Sequence, residues 1–144
     1  MADEKKQQAT AVNLEEDITK LRFVESQLGA LQREMMTLED MIAALASARS
    51  AMVDLKKVDK DTPAMLPMGV GILAHGMVKK QNSVLVDVGA GVVVEKTIDE
   101  TIEMIRKRGE EVQKQMDSIR NTFISLQNEY NKIGQKLEKE LPIR

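Results

Sequence analysis

The side chains that most often carry nucleophilic or metal chemistry are nearly missing from this sequence. It has one histidine, His75, and no cysteine. Without thiols there is no disulfide framework, no thiolate nucleophile and no thiolate metal site. His75 stands between Ala74 and Gly76 with no carboxylate cluster nearby, so it lacks the partners of a metal site or a catalytic triad. Gly69-x-Gly71 and Gly89-x-Gly91 have the look of phosphate-cradling loops. The first lacks a third glycine at dinucleotide-binding spacing, and neither leads directly into a helix whose N-terminus could hold phosphate. Turn glycines explain both. Carboxylates such as Glu110 and Glu111 fall on a charged helical face, as solvated flanks of a coiled coil do. No catalytic, cofactor-binding or metal-binding residue is expected, and the chain is not expected to be an enzyme.

The wider composition points the same way. Of 144 residues, 31% are charged and only 2% aromatic, a balance suited to long exposed helices rather than a ring-filled core. Lysine and arginine (21) nearly cancel aspartate and glutamate (23), and the one dense basic run is Arg106-Lys107-Arg108. A nucleic-acid surface needs an excess of cations to displace phosphate counterions, so none is expected. The most apolar stretch, Met65 to Val78, is interrupted by Pro67, three glycines and His75, and is too short to cross a bilayer. MADEKKQQAT at the start lacks the apolar core of a secretory signal, which sets a cytoplasmic protein as the expectation.

Two long stretches are written in sevens. From 14 to 52, one series runs Leu14, Leu21, Leu28, Met35, Ile42 and a second Val24, Leu31, Leu38, Leu45, Met52, with Asp17 and Arg49 as interruptions. From 98 onward the series are Ile98, Ile105, Val112, Ile119, Leu126, Ile133 and Ile102, Met116, Phe123, Tyr130, Leu137, with Gly109 as a gap. Such a repeat specifies a left-handed coiled coil. Asn13 with Glu16 reads as the first N-cap, leaving 1–12 as a flexible segment ahead of a helix over 13–58. Thr97 with Glu100 forms a T-x-x-E capping box opening a second helix over 97–141, and Pro142 closes it. Matched lengths of about 65 Å, at ~1.5 Å per residue, let one helix fold back on the other. Leu28 then faces Phe123, Leu31 faces Ile119, Met35 faces Met116, Leu45 faces Ile105, and Ile42 falls opposite Gly109. A slip of one heptad also satisfies the pattern, and parallel pairing of each helix with a second copy is the competing arrangement.

Between the helices the period changes to two. Strands are expected near 64–67, 72–79, 83–88 and 92–96, joined by Gly-rich turns into two β-hairpins across 63–96. Pro67 suits a strand end or an edge. Val84, Val86 and Val88 share one face with Val92 and Val94, yet Leu85, Val93, Leu73 and Met77 make the opposite faces apolar too. Two isolated hairpins are marginal in water and their edges invite another chain. An obligate oligomer is therefore expected, with Leu66, Ile72, Leu73, Met77, Val84, Val86, Val88, Val92 and Val94 at its interface. The fold class is α+β: a long antiparallel coiled-coil hairpin with two β-hairpins between its helices, the strands pooled between subunits.

The residues Leu66, Pro67, Gly69, Gly71, Gly76 and Val78, followed by Val86, Val88, Gly89, Gly91, Val94, Glu95 and Lys96, resemble the pattern of the prefoldin alpha class. The order helix, two hairpins, helix covers the whole chain. Leu73 replaces the usual aromatic, and Val92-Val93 stand where a tyrosine is common. The resemblance implies a hexamer of two alpha and four beta subunits with a β-barrel body and six tentacle-like coiled coils. It also implies an ATP-independent holding chaperone that passes unfolded clients to a group II chaperonin.

A holdase needs apolar surface that its own fold leaves unused. Off the seam, Ile18, Phe23, Ile124 and Leu141 qualify, with Ile143 beyond the helix end. Asp17 opposite Ile133, with Gly134 beside it, is expected to loosen the helix pair and offer Leu14, Ile133 and Leu137 as well. Two other classes of function share these features: a coiled-coil scaffold without clients, and a self-assembling homo-oligomer or filament.

Overall fold

A computed structural model of the chain describes residues Met1–Leu141; Pro142, read as the helix stop, and Ile143 lie outside the described residues. In order, the elements are α1 (Ala2–Lys56), β1 (Thr62–Gly69), β2 (Ile72–Val78), β3 (Ser83–Gly89), β4 (Val92–Thr97) and α2 (Ile98–Glu140). The chain divides into two units, one of Met1–Asp40 with the chain from Lys114 onward, the other of Met41–Gln113.

The first unit is a helix pair. Val24, Leu38, Met116 and Ile133 are buried, all of them seam positions. Two ion pairs link the helices: Lys136 Nζ donates to Asp17 Oδ2 at 2.6 Å, and Lys20 Nζ lies 3.3 Å from Glu129 Oε1. Both lie within about one turn of the register that sets Leu28 against Phe123. A one-heptad slip would separate them by roughly 10 Å along the axis at ~1.5 Å per residue. Antiparallel pairing within the chain is therefore the arrangement found.

Helix α1 starts at Ala2, not at Asn13, and the expected flexible 1–12 segment is helical. Ala2 to Ala9 (ADEKKQQA) consists mostly of strong helix formers, with Asp3 and Glu4 in the first turn where they complement the helix dipole. It lacks apolar periodicity, the signal that marks the rest of the helix, and so reads as a tail.

In the second unit the strands form two separate two-stranded antiparallel sheets, β1–β2 and β3–β4. Each closes with a two-residue turn, Val70-Gly71 or Ala90-Gly91, whose residues all have positive φ, as the mirror-image hairpin turns require. A register shift between Pro67 and Gly69, repeated between Asp87 and Gly89, adds a bulge beside each turn. The capping box closes as expected: Glu100 N donates to Thr97 Oγ1 and Thr97 N donates to Glu100 Oε2, both at 3.1 Å. Thr101, buried, donates its hydroxyl to the Thr97 carbonyl at 2.8 Å, and Ile98 N donates to Asn82 O at 3.2 Å. Strand β4 thus runs into α2 without a linker. Lys56 Nζ meets Asp99 Oδ1 at 2.7 Å, tying the end of α1 to the start of α2.

Candidate functional site: unpartnered strands and an apolar helical surface

The register of β1–β2 sets Ala64 across from Gly76 and Leu66 across from Ala74 on one face. Pro63–Met77, Met65–His75 and Pro67–Leu73 make up the other. Both faces are apolar, and between Thr62 and Val78 the only ionisable side chain is His75. Almost all of this surface is open: Leu66, Ile72, Leu73 and Met77 are exposed, as are Met65 and Met68. Gly76 lets Leu66 fold onto the strand, because a Cβ there would meet Leu66 Cδ1 at 2.8 Å.

The β3–β4 hairpin is built differently. Val84 and Val86 pair with Lys96 and Val94 on one face, which Val88 and Val92 extend toward the turn. The opposite face carries Ser83, Asp87, Glu95 and Thr97 with Leu85 and Val93. Ser83 Oγ donates to Glu95 Oε1 at 2.6 Å, and Gly89 N donates to Asp87 Oδ1 at 2.9 Å. Val88, Val92 and Val94 are exposed, and Val84 and Val86 half-buried.

Every residue expected at an oligomer interface therefore lies on one of two hairpins that nothing in the chain covers completely. Met65, Met68, Val70, Leu85 and Val93 share that exposure and were not among them. Strand alternation already carries the signal for Met65, Leu85 and Val93; Val70 sits in a turn, where hydrophobicity usually goes unread. The chain exposes 11490 Å² in all, against roughly 7,400 Å² typical of a folded monomer of its mass.

On the helix pair, Phe23 is 64% exposed and Ile124 49% exposed, and Leu141 is also exposed. Leu14, Ile18 and Leu137 are half-buried. Ile133, expected to be open, is instead buried in the seam at 8% exposure. Asp17 does not loosen the pair there, because its carboxylate accepts from Lys136 across the helices. That hydrogen bond leads in holding the Lys136 ammonium above the usual lysine range. A lysine one turn from the expected neighbour escapes a reading that compares only seam residues.

In the basic run on α2, Arg106 is paired within its own helix. Arg106 donates to Glu103 and Glu110 of its own helix, and these bonds, chiefly that to Glu103, raise its pKa and lower that of Glu103. Among the described residues no group of three or more His, Cys, Asp or Glu side chains could hold a metal ion. Nor, among the described residues, is any helix long and apolar enough to cross a membrane.

Two long helices with two separate β-hairpins between them define the class of fold. The prefoldin subunit family model matches residues 24–141, and the chain belongs to the prefoldin family, in its alpha-subunit class. The prefoldin alpha subunit of Archaeoglobus fulgidus is 27% identical over 86% of this chain and 90% of its own length. That of Methanococcoides burtonii is 33% identical over 79% and 72%. A cryo-EM structure of filamentous prefoldin from Methanocaldococcus jannaschii superposes with a TM-score of 0.69 at 19% identity, covering 85% of this chain and 98% of that one. Membership carries a chaperone-type function rather than an enzymatic one.

Proposed function

We propose that this chain is the alpha-type subunit of an ATP-independent holding chaperone in the cytoplasm. Its hairpins join beta-type prefoldin subunits in a hexamer of two alpha and four beta chains. Its helix pair captures unfolded polypeptide, which then passes to a group II chaperonin. The observation that carries the reading is the exposure of Phe23 and Ile124 on a helix pair whose own seam is already filled by Val24, Leu38, Met116 and Ile133. Leu141 and the half-buried Ile18, Leu14 and Leu137 extend that surface. Isolated surface hydrophobes are ordinary, so the test removes several together. Replacing Ile18, Phe23, Ile124 and Leu141 by serine is expected to abolish suppression of a denatured protein's aggregation without ATP, while the hexamer elutes unchanged. Full suppression by the intact variant hexamer places client contacts elsewhere.

A second reading is self-assembly without a beta partner. Two observations favour it: the hairpins are open on this chain alone, and the superposing Methanocaldococcus jannaschii structure is a filamentous one. Size-exclusion chromatography of the chain with and without a beta-type subunit separates the two. A large species from this chain alone supports self-assembly; a species that grows only with the partner supports the hexamer.

A further inference from the structure

Pro63 and Pro67 fix the phase of the β1–β2 ladder. Neither has an N–H, so both take positions whose backbone hydrogen bonds do not go to β2, opposite Met77 and Leu73. Met65 lies midway between them, in the same phase. Its pair with His75 is therefore of the non-hydrogen-bonded kind, in which facing side chains stand closest. The Cβ atoms of such a pair are about 4.5–5.5 Å apart. Met77 follows two residues after His75, on the same face, and is the diagonal neighbour of Met65. Diagonal neighbours are about 7–8 Å apart, within reach of long side chains. All three side chains are exposed, Met65 by 54% and Met77 by 59%.

Along the chain His75 has no thiolate or carboxylate beside it, but the hairpin gives it two thioether sulfurs, one from each strand. Thioether sulfur is a soft donor that favours Cu(I), and imidazole also suits copper. Hard cations such as magnesium and calcium need oxygen ligands, and neither strand carries an Asp or a Glu. Methionine has three rotatable bonds, so both sulfurs can swing toward the ring without moving the backbone. Pro63, Pro67 and Leu73 complete the face and bring no competing donor. The second hairpin is a built-in contrast, since β3 and β4 have no methionine and no histidine.

We propose that Met65, His75 and Met77 bind one soft monovalent cation of the Cu(I) type, through two thioether sulfurs and one imidazole nitrogen. The site lies within one hairpin of one chain. It goes beyond the chaperone reading and stands without it, because no second subunit supplies a donor.

The test uses the full chain, alone and mixed with a beta-type subunit, in chloride-free buffer without oxygen. Cu(I) is offered against a chromogenic Cu(I) chelator. Ag(I), a redox-inert stand-in, is titrated into protein with isotope-labelled methionine methyls and followed by NMR. One Cu(I) per chain is expected, with the Met65 and Met77 methyl signals shifting on Ag(I) and that of Met68 unmoved. Met65→Leu, Met77→Leu and His75→Gln are each expected to weaken binding by at least about tenfold. Met68→Leu, at an exposed position in the same hairpin, is expected to change nothing. Exposed positions and similar volumes leave the fold in place, which circular dichroism checks. Binding in neither sample overturns the site, as does binding that survives the triple substitution or falls equally with Met68→Leu. Chromatography reads the oligomeric state of the same samples separately, so a failure of metal binding is distinct from a failure of assembly.

Discussion

Gly69, Val70 and Gly71 have φ values of 99°, 51° and 77°, and Gly89, Ala90 and Gly91 have 105°, 53° and 74°. The two hairpins therefore close on the same backbone, with the bulge in the same place. Around that shared turn the side chains differ. The β3–β4 hairpin has one valine face and one face with Ser83, Asp87, Glu95 and Thr97, and its last strand is locked into α2 by the capping box. The β1–β2 hairpin is apolar on both faces, and its one side-chain hydrogen bond among the described residues is that from Thr62 Oγ1 to the Lys60 carbonyl. Turn chemistry fixes a backbone, while the faces decide how much covering each ribbon needs. Covering is expected to matter on both faces of the first hairpin and chiefly on the valine face of the second, since Leu85 and Val93 share the other face with charged and hydroxyl side chains.

The largest effects should follow from placing a charge on these faces. An unpaired charge at a buried interface costs on the order of 3–5 kcal/mol. At about 1.4 kcal/mol per tenfold, that weakens assembly by roughly 100-fold or more. Val86→Asp is expected to do this in the second hairpin, and Leu66→Asp and Leu73→Asp, on opposite faces, in the first. Leu85→Asp, which joins Asp87 and Glu95 on the polar face, is expected to weaken assembly by less than about tenfold. Sedimentation velocity over a dilution series reads all four. Equal losses from Leu85→Asp and Val86→Asp would show that the second hairpin is covered on both sides and end the distinction.

Smaller effects should separate the anchored hairpin from the untied one. Thr97→Ala removes the side-chain half of a working cap and is expected to cost about 1 kcal/mol, read as a lower melting temperature. Thr62→Ala removes an exposed bond to Lys60 and should stay within about 0.5 kcal/mol. A loss from Thr62→Ala as large as that from Thr97→Ala would mean that the first hairpin has an anchor of its own.

These contrasts were unequally visible in the sequence. Heptads, capping box and period-two strands name the elements because each follows from local spacing, and the Thr97–Glu100 exchange closes as the motif specifies. The start of α1 was hidden, since ADEKKQQA has helix propensity but no apolar stripe to announce it. The burial of Ile133 is not legible from seam residues alone, because its aspartate neighbour pairs with Lys136, one turn further along the other helix. On the hairpins, alternation found the valine ladder. It passed over Val70, whose exposure depends on a left-handed turn conformation and not on strand periodicity.

That residue supplies the finest comparison. Val70 and Ala90 occupy the same turn position, both left-handed, and Val70 is fully exposed. An L-residue there suffers a clash between Cβ and its own backbone of roughly 1–2 kcal/mol, worse for a β-branched side chain. Glycine removes the clash but gives the unfolded chain more freedom, so the net gain from either substitution should be about 0.5–1 kcal/mol, larger at 70 than at 90. If the turn of the first hairpin is buried between subunits, Val70→Gly should raise the melting temperature of dissociated protein and yet weaken assembly. Ala90→Gly should raise the first and leave the second alone. Thermal melts and dilution series on the same two variants decide it. Unchanged assembly with Val70→Gly would mean that this valine faces solvent in the complex and that covering of the first hairpin stops short of its turn.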